Sequence, residues 1–122
     1  MVIGRRQAGM VTAEAALVLP VLVLVLVAAV GALMVVGGQL RCVDAAREGV
    51  RAATRGDAAA SVRRLVDEAA PPGASASVVG GGAVVTVTVT AVVRPLGPLP
   101  WVVHVSAAAT GELEPGAGDG PP

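Results

Sequence analysis

The stretch MVTAEAALVLPVLVLVLVAAVGALMVVGG, residues 10–38, decides how this chain of 122 residues folds. From Ala15 to Val36 it contains 22 consecutive residues without a charge or a strongly polar side chain. At about 1.5 Å per residue such a helix reaches ~33 Å, enough to cross a hydrocarbon core of about 30 Å. A soluble helix of this composition would be apolar on every side, and the remaining chain could not cover it. Residues 10–38 are therefore predicted to form a transmembrane helix.

A short basic leader, MVIGRRQAG at residues 1–9, precedes this segment. The leader ends in Gly9, and Met10 is the first residue of the apolar segment. The carboxylate of Glu14 stands at the edge of the hydrocarbon run, where an acid is costly and usually has a partner. The dipole of a helix also favours an acid in the first turn, so Glu14 as a simple boundary residue stays open as an alternative. Pro20 lies inside the run, and we expect it to bend the helix without breaking it.

The helix is predicted to continue beyond the membrane, and residues 39–70 form a helical extension and a second helix. Apolar side chains at spacings of three and four favour one buried face, made of Leu40, Val43, Ala46, Val50 and Ala53. Gly56 is suited to end the extension. A second helix is predicted over residues 57–70, with Asp57 as its N-cap.

Composition then changes to that of a β head, residues 71–110. Strands are predicted at Ser75–Val79, Ala83–Val93 and Trp101–Thr110, and the glycines at 80–82 join the first two as a hairpin turn. Along the second strand, Val and Ala at 85, 87, 89 and 91 alternate with Thr, which predicts one buried face. We expect Trp101 to be the largest core side chain and His104 to lie at the surface. The tail, residues 111–122, is predicted to be disordered, and the fold class is α+β with about three antiparallel strands.

Charge and composition exclude several classes of function. Nine Arg and nine acids give a net charge of zero, so nothing favours nucleic acid as a partner. One Cys and one His cannot form a metal cluster or a nucleophile–base set, so we expect no metal, no cofactor, no small-molecule substrate and no enzymatic activity. Cys42 is predicted to be a free thiol. A disulfide between molecules and a lipid attachment are its less favoured alternatives.

The residues around Gly9 carry a resemblance to known proteins. A basic leader ending in Gly9, an apolar Met10, an acid at the fifth position after the Gly and an immediate apolar run resemble a type IV prepilin signal. The stretch MVTAEAALVLPVLVLVL, followed by RCVDAAREGVRAATRG, resembles the TadE-like family of pseudopilins, minor subunits of tight-adherence (Flp-type) pilus systems. The resemblance implies cleavage between Gly9 and Met10 by a prepilin peptidase. It also implies that Glu14 meets the Met10 amine of a neighbouring subunit.

The resemblance predicts a minor pilin-like structural subunit that acts in pilus assembly and adhesion. Its expected partners are the prepilin peptidase, the major Flp-type pilin, a sister minor pilin and membrane lipid. The expected location is the cell membrane, single-pass, with the N-terminus cytoplasmic and the C-terminus extracytoplasmic, or the pilus outside the cell. Two alternatives remain: an unprocessed single-pass protein whose head binds a partner, and a small β domain released by signal peptidase. Arg residues near the run oppose the expected orientation, because two precede it and four follow it.

Overall fold

A computed structural model describes residues 2–113, with side chains from Ala8 onward. It contains a long helix, a short helix and one antiparallel sheet, which confirms the predicted α+β class. The elements are α1 (Val2–Thr54), α2 (Ala59–Ala69), β1 (Ser75–Gly81), β2 (Val84–Val93) and β3 (Val103–Glu112).

Helix α1 is continuous from the leader to the folded domain and passes through Pro20 without interruption. It ends as the sequence predicts, at Gly56, whose φ of 88° is accessible to Gly at little cost. The N–H of Gly56 donates to the carbonyl of Ala53, and that of Asp57 donates to Ala52. These two hydrogen bonds form a Schellman motif, which satisfies the last carbonyls of the helix.

The start of α2 corrects one prediction. Its N-cap is Ala58, without a side-chain hydrogen bond, so Asp57 is not the cap. The carboxylate of Asp57 instead lies 3.6 Å from the guanidinium of Arg55. Because Asp57 belongs to the turn that closes α1, it stands one residue too early to reach the first N–H groups of α2.

The sheet has the order β1-β2-β3, with both pairs antiparallel. The first hairpin turn is shorter than predicted, because Gly80 and Gly81 pair within β1 and only Gly82 and Ala83 form the turn. Gly82 has a φ of +61° and Ala83 does not have a positive φ, which fits a II′ turn with Gly first. Strand β3 extends to Glu112, so the predicted tail begins within the sheet, and residues 114–122 lie outside the described residues.

The core lies between the second half of α1, helix α2 and one face of the sheet. The alternation predicted for β2 is confirmed, since Val85, Val87, Val89 and Ala91 are all buried. The face predicted for α1 is wrong at Leu40, which is 58% exposed. Ala46 of the predicted face is buried, and it lies in a buried row of small residues with Gly38, Cys42, Ala45, Gly49 and Ala52.

Small residues are buried because the sheet lies almost on the helix backbone. A Cβ placed on Gly38 would stand 2.6 Å from Cγ2 of Val93, and one on Gly111 would stand 2.5 Å from Cγ1 of Val50. These contacts show that the strands run alongside the helix. The end of β2 at Val93 lies near the membrane segment, whereas the β1–β2 turn lies at the far end of α1. We call residues 38–113 the folded domain.

Candidate functional site

The N-terminal part of α1 is not covered by the folded domain. Every described side chain from Ala8 to Val30 is exposed, and the first buried residue along the helix is Gly31. We call residues 8–30 the exposed segment. Such a helix, apolar on all sides, is long and apolar enough to cross a membrane and fits a single-pass membrane protein. Its other way to lose contact with water is to pack against other apolar helices.

The Gly9–Met10 peptide lies on the surface of this helix. Met10 is 72% exposed, and a Cβ on Gly9 would meet nothing within 4 Å. The fold therefore gives no steric reason for a glycine at this position, and the open backbone leaves the bond accessible. A protease that binds its substrate extended must first unwind this turn of helix.

Thr12 is a neighbour of this bond that the sequence analysis did not single out. Its hydroxyl donates to the carbonyl oxygen of Ala8 at 2.9 Å, across the turn that contains Gly9 and Met10. Such a bond to the residue four positions earlier slightly destabilises a helix and often bends it. The only signal in the sequence was a Thr four residues after Ala8, which is too common to be informative.

Glu14 lies one turn beyond Met10 on the same side of the helix. Residues four apart stack along a helix, and every Cα–Cβ bond tilts toward the N-terminus. The side chain of Glu14 is exposed. Its Cα–Cβ bond is directed toward the end of the helix where Met10 lies. A carboxylate in this place can bind an amine at the helix start, in the same chain or in a neighbour.

Cys42 does not belong to this group of residues. It follows Met10 by 32 positions, or about 48 Å of helix. The thiol is free and fully buried against the sheet, and burial raises the pKa of the Cys42 thiol. A buried, protonated thiol is a poor nucleophile and is inaccessible to a second cysteine.

The described residues do not contain a group of three or more His, Cys, Asp or Glu able to hold a metal ion. Two ion pairs occur among them, Arg51–Glu48 at 3.4 Å and Arg55–Asp57 at 3.6 Å, and both are at the surface. Exposed pairs of this kind contribute about 0–1 kcal/mol.

Comparison with known proteins identifies a family and a relative of this chain. Residues 9–51, the helix from Gly9 onward, match the family model described as TadE-like protein. A curated protein of Mycobacterium tuberculosis, named Apoptosis inhibitor Rv3655c, is 42% identical over 107 residues, covering 85% of this chain and 79% of the relative. The chain belongs to the TadE-like family.

The TadE-like match covers Gly9, Met10, Glu14, Pro20 and Cys42 and ends three residues before the end of α1. The alignment with the relative necessarily extends further, because α1 supplies only 53 residues of the 107 aligned. TadE-like proteins are a structural, pilus-associated family and not an enzyme family, which supports a Tad pilus-associated protein. No solved structure matches this chain.

Proposed function

We propose that this TadE-like chain is a minor pilin-like subunit of a Tad (Flp-type) pilus system, cut between Gly9 and Met10 by a prepilin peptidase. The observation that carries the proposal is the exposed segment. It is an apolar helix that is exposed on every side, and at its start no atom lies within 4 Å of a Cβ placed on Gly9. The role is structural and needs no catalytic group or cofactor. The mature chain waits in the membrane and then enters or primes the pilus, where it contributes to assembly and adhesion.

Assembly replaces lipid around the exposed segment with other helices. Without a hydrophobic driving force in the bilayer, helices associate by close packing, which small residues favour. Ala28, Ala29 and Ala32 are exposed and available for such packing. Gly31 is not, because Pro95 of the same chain already lies against it. The partners in this step are the major Flp-type pilin and a sister minor pilin, and membrane lipid surrounds the helix before it.

Glu14 directs the register of assembly in this proposal. Cleavage creates an amine on Met10, and the Glu14 carboxylate of the adjacent subunit binds it. Both groups lie at the apolar end of the helix, where an ion pair is stronger than in water and an unpaired charge is costly. The pairing therefore selects neighbours whose helices are aligned at this level.

Orientation follows from the processing step. The peptidase cuts on the cytoplasmic side, so the N-terminus of α1 is cytoplasmic and the folded domain lies outside. The Arg excess after the membrane segment opposes this arrangement.

The experiment that tests the proposal is sequencing of the mature N-terminus from membranes of cells that carry the pilus system. Processing predicts a chain that starts at Met10. A chain that starts at Met1 would replace the proposal with an unprocessed membrane protein whose folded domain binds a partner. A start near residue 30 would indicate release by signal peptidase.

The name of the relative favours a second candidate function. Because a relative at 42% identity is named an apoptosis inhibitor, we infer as this candidate a folded domain that is released and binds a partner. Release near residue 30 would keep the core intact, because burial begins only at Gly31. Fractionation of culture medium, membranes and sheared pili tests this candidate, which requires a soluble fragment in the medium.

A further inference from the structure

The β2–β3 loop, residues 94–102, runs back along α1 toward the membrane. A Cβ on Gly31 would stand 3.2 Å from Cβ of Pro95 and 3.8 Å from Cδ2 of Leu96, so the loop lies directly on the helix there. Gly31 precedes the end of the apolar run, Val36, by five residues, or about 7.5 Å of helix. With the apolar run taken as the membrane span, a contact at this level lies below the membrane surface.

The loop carries apolar side chains that the protein itself leaves uncovered. Trp101 is 68% exposed and Leu99 is 53% exposed, and Val102 and Val103 beside them are also exposed. Trp101 was predicted to fill the core, and that prediction is wrong. The core closes without it, because Val87 and Val93 of β2 lie directly against Gly49 and Gly38 of α1.

The backbone of this loop suits a partly lipidic environment. Pro95, Pro98 and Pro100 have no N–H group, so three of nine residues lack the donor that is costly to bury. Lipid-exposed irregular backbone is nevertheless excluded from the hydrocarbon region itself. The boundary between headgroups and acyl chains accommodates both features, and tryptophan is enriched at that level.

Two arginines lie at the same end of the folded domain, and Asp44, one turn after Arg41 on α1, does not line the groove that they border. Arg41 of α1 and Arg94 of the loop line a groove of about 1010 Å³, together with Met34, Leu40, Val92 and Val93. The chain has no acid between Glu68 and Glu112. An apolar groove with two guanidinium groups, beside a membrane helix, is complementary to lipid with an anionic headgroup.

We propose that the β2–β3 loop seats the folded domain in the bilayer, with Leu99 and Trp101 in the headgroup–acyl boundary and Arg41 and Arg94 on anionic lipid headgroups. The expected insertion of 5–10 Å for interfacial segments matches the depth of about 7.5 Å at Gly31. The inference rests on the membrane anchoring of the proposed function, but on neither cleavage nor pilus assembly. The folded domain is then fixed against the membrane before any subunit contact.

Trp101 is the one Trp of the sequence, which has no Tyr and no Phe, so its fluorescence reports on this loop alone. The full chain is reconstituted in phosphatidylcholine vesicles with and without phosphatidylglycerol, with bromine at shallow or deep acyl positions. We expect blue-shifted emission, protection from acrylamide, and at least twofold stronger quenching by shallow than by deep bromine. A matched control moves the reporter to the far end of the sheet, in the double variant Trp101→Leu, Val79→Trp, and should give solvent-like, unquenched emission.

Two results would overturn the proposal. One is Trp101 emission that resembles the control at Val79, with full access to acrylamide. The other is protection that grows with protein density but without bromine quenching, which would assign the loop to a second copy of the chain. Arg94→Gln tests whether Arg94 binds an anionic headgroup. If it does, bromine quenching of Trp101 in this variant should be weaker than in wild type only in vesicles that contain phosphatidylglycerol. Equal quenching of wild type and Arg94→Gln in vesicles with phosphatidylglycerol would overturn the proposed contact between Arg94 and an anionic headgroup. All these readings use the uncleaved chain, so they stand apart from the outcome of N-terminal sequencing.

Discussion

Gly49 of α1 lies directly against Val66 of α2, such that a Cβ on the glycine would stand 2.6 Å from Cγ2 of the valine. Val87 of β2 approaches the same position at 3.0 Å. Both valines are fully buried. This is where the two helices and the sheet meet, and the helix backbone itself forms one wall of the core.

The contact at Gly49 predicts that alanine there destabilises the folded domain. Alanine improves helix propensity by up to about 1 kcal/mol, but overpacking a filled core costs about 1–3 kcal/mol, and the stiff valines cannot turn aside. We expect a net loss of about 1 kcal/mol in the free energy of unfolding, measured in detergent by circular dichroism. The matched control is Gly37→Ala, where nothing lies within 4 Å and stability should rise. A gain in both variants would contradict the packing described here.

The buried faces of β2 and α1 show what the sequence could and could not predict. The alternation of Val and Thr in β2 is a property of one strand with one buried face, and it predicted the buried residues correctly. On α1 the three–four spacing of apolar residues predicted the face with Leu40, but the sheet packs against the row with Gly38 and Gly49. How closely two elements approach depends on both surfaces at once, and a single sequence pattern contains only one of them.

The relative placement of the candidate site residues is local, whereas their roles in cleavage and assembly stay predictions. Gly9, Met10 and Glu14 lie within six residues of each other, and their relation depends only on helix geometry. The position of Trp101 depends on the path of a long loop and on a contact with Gly31, 70 positions earlier in the chain. No periodicity in the sequence indicates such a contact.

Cys42 predicts a loss of stability in alkaline solution. Burial raises the pKa of its thiol, so the unfolded chain releases this proton at a lower pH than the folded chain. Between the two pKa values the folded state binds more protons, and the free energy of unfolding falls as pH rises. The chain has no Lys and no Tyr, so Cys42 is the one side chain that titrates between about pH 8 and 11. Unfolding at about pH 8 and 10 should show this fall in wild type and its absence in Cys42→Ala; parallel curves would exclude a buried thiol.

Gly9→Val is expected to block leader removal. The added branched side chain obstructs a protease that must approach the backbone closely, while the open space around Gly9 leaves the helix intact. Intact mass of the membrane-extracted protein measures the result, a chain that keeps residues 1–9. Gly4→Val, in the same leader, is the control and should be cut normally. Mature protein of normal length from Gly9→Val would defeat the processing proposal.

The orientation is tested by a reporter fused after the C-terminus. We expect activity from an enzyme that works only outside the cytoplasm, such as a periplasmic phosphatase, and silence from a cytoplasmic one. The reason is that processing places the N-terminus of α1 in the cytoplasm. The opposite pair of results, with equal expression, would show that the Arg count sets the topology, and the pilin proposal would fail with it.

Glu14→Gln separates processing from assembly. The change lies five residues beyond the scissile bond, so leader removal should continue. Gln keeps the size and hydrogen bonding of Glu but loses the charge, which leaves the Met10 amine of the neighbour unpaired at the edge of the membrane. Such an unpaired charge costs a few kcal/mol, roughly a hundredfold in an association constant.

We therefore expect Glu14→Gln to accumulate as mature protein in the membrane and to be depleted from sheared pili, with partial rescue by Glu14→Asp. Glu48→Gln is the matched control on the same helix, since its exposed pair with Arg51 contributes little. If Glu14 only marks the membrane boundary, the result reverses, because Gln is easier to bury than Glu and incorporation should be unchanged or higher. Equal amounts in pili, with normal cleavage of both chains, would leave the proposed function to stand on the Gly9–Met10 bond alone.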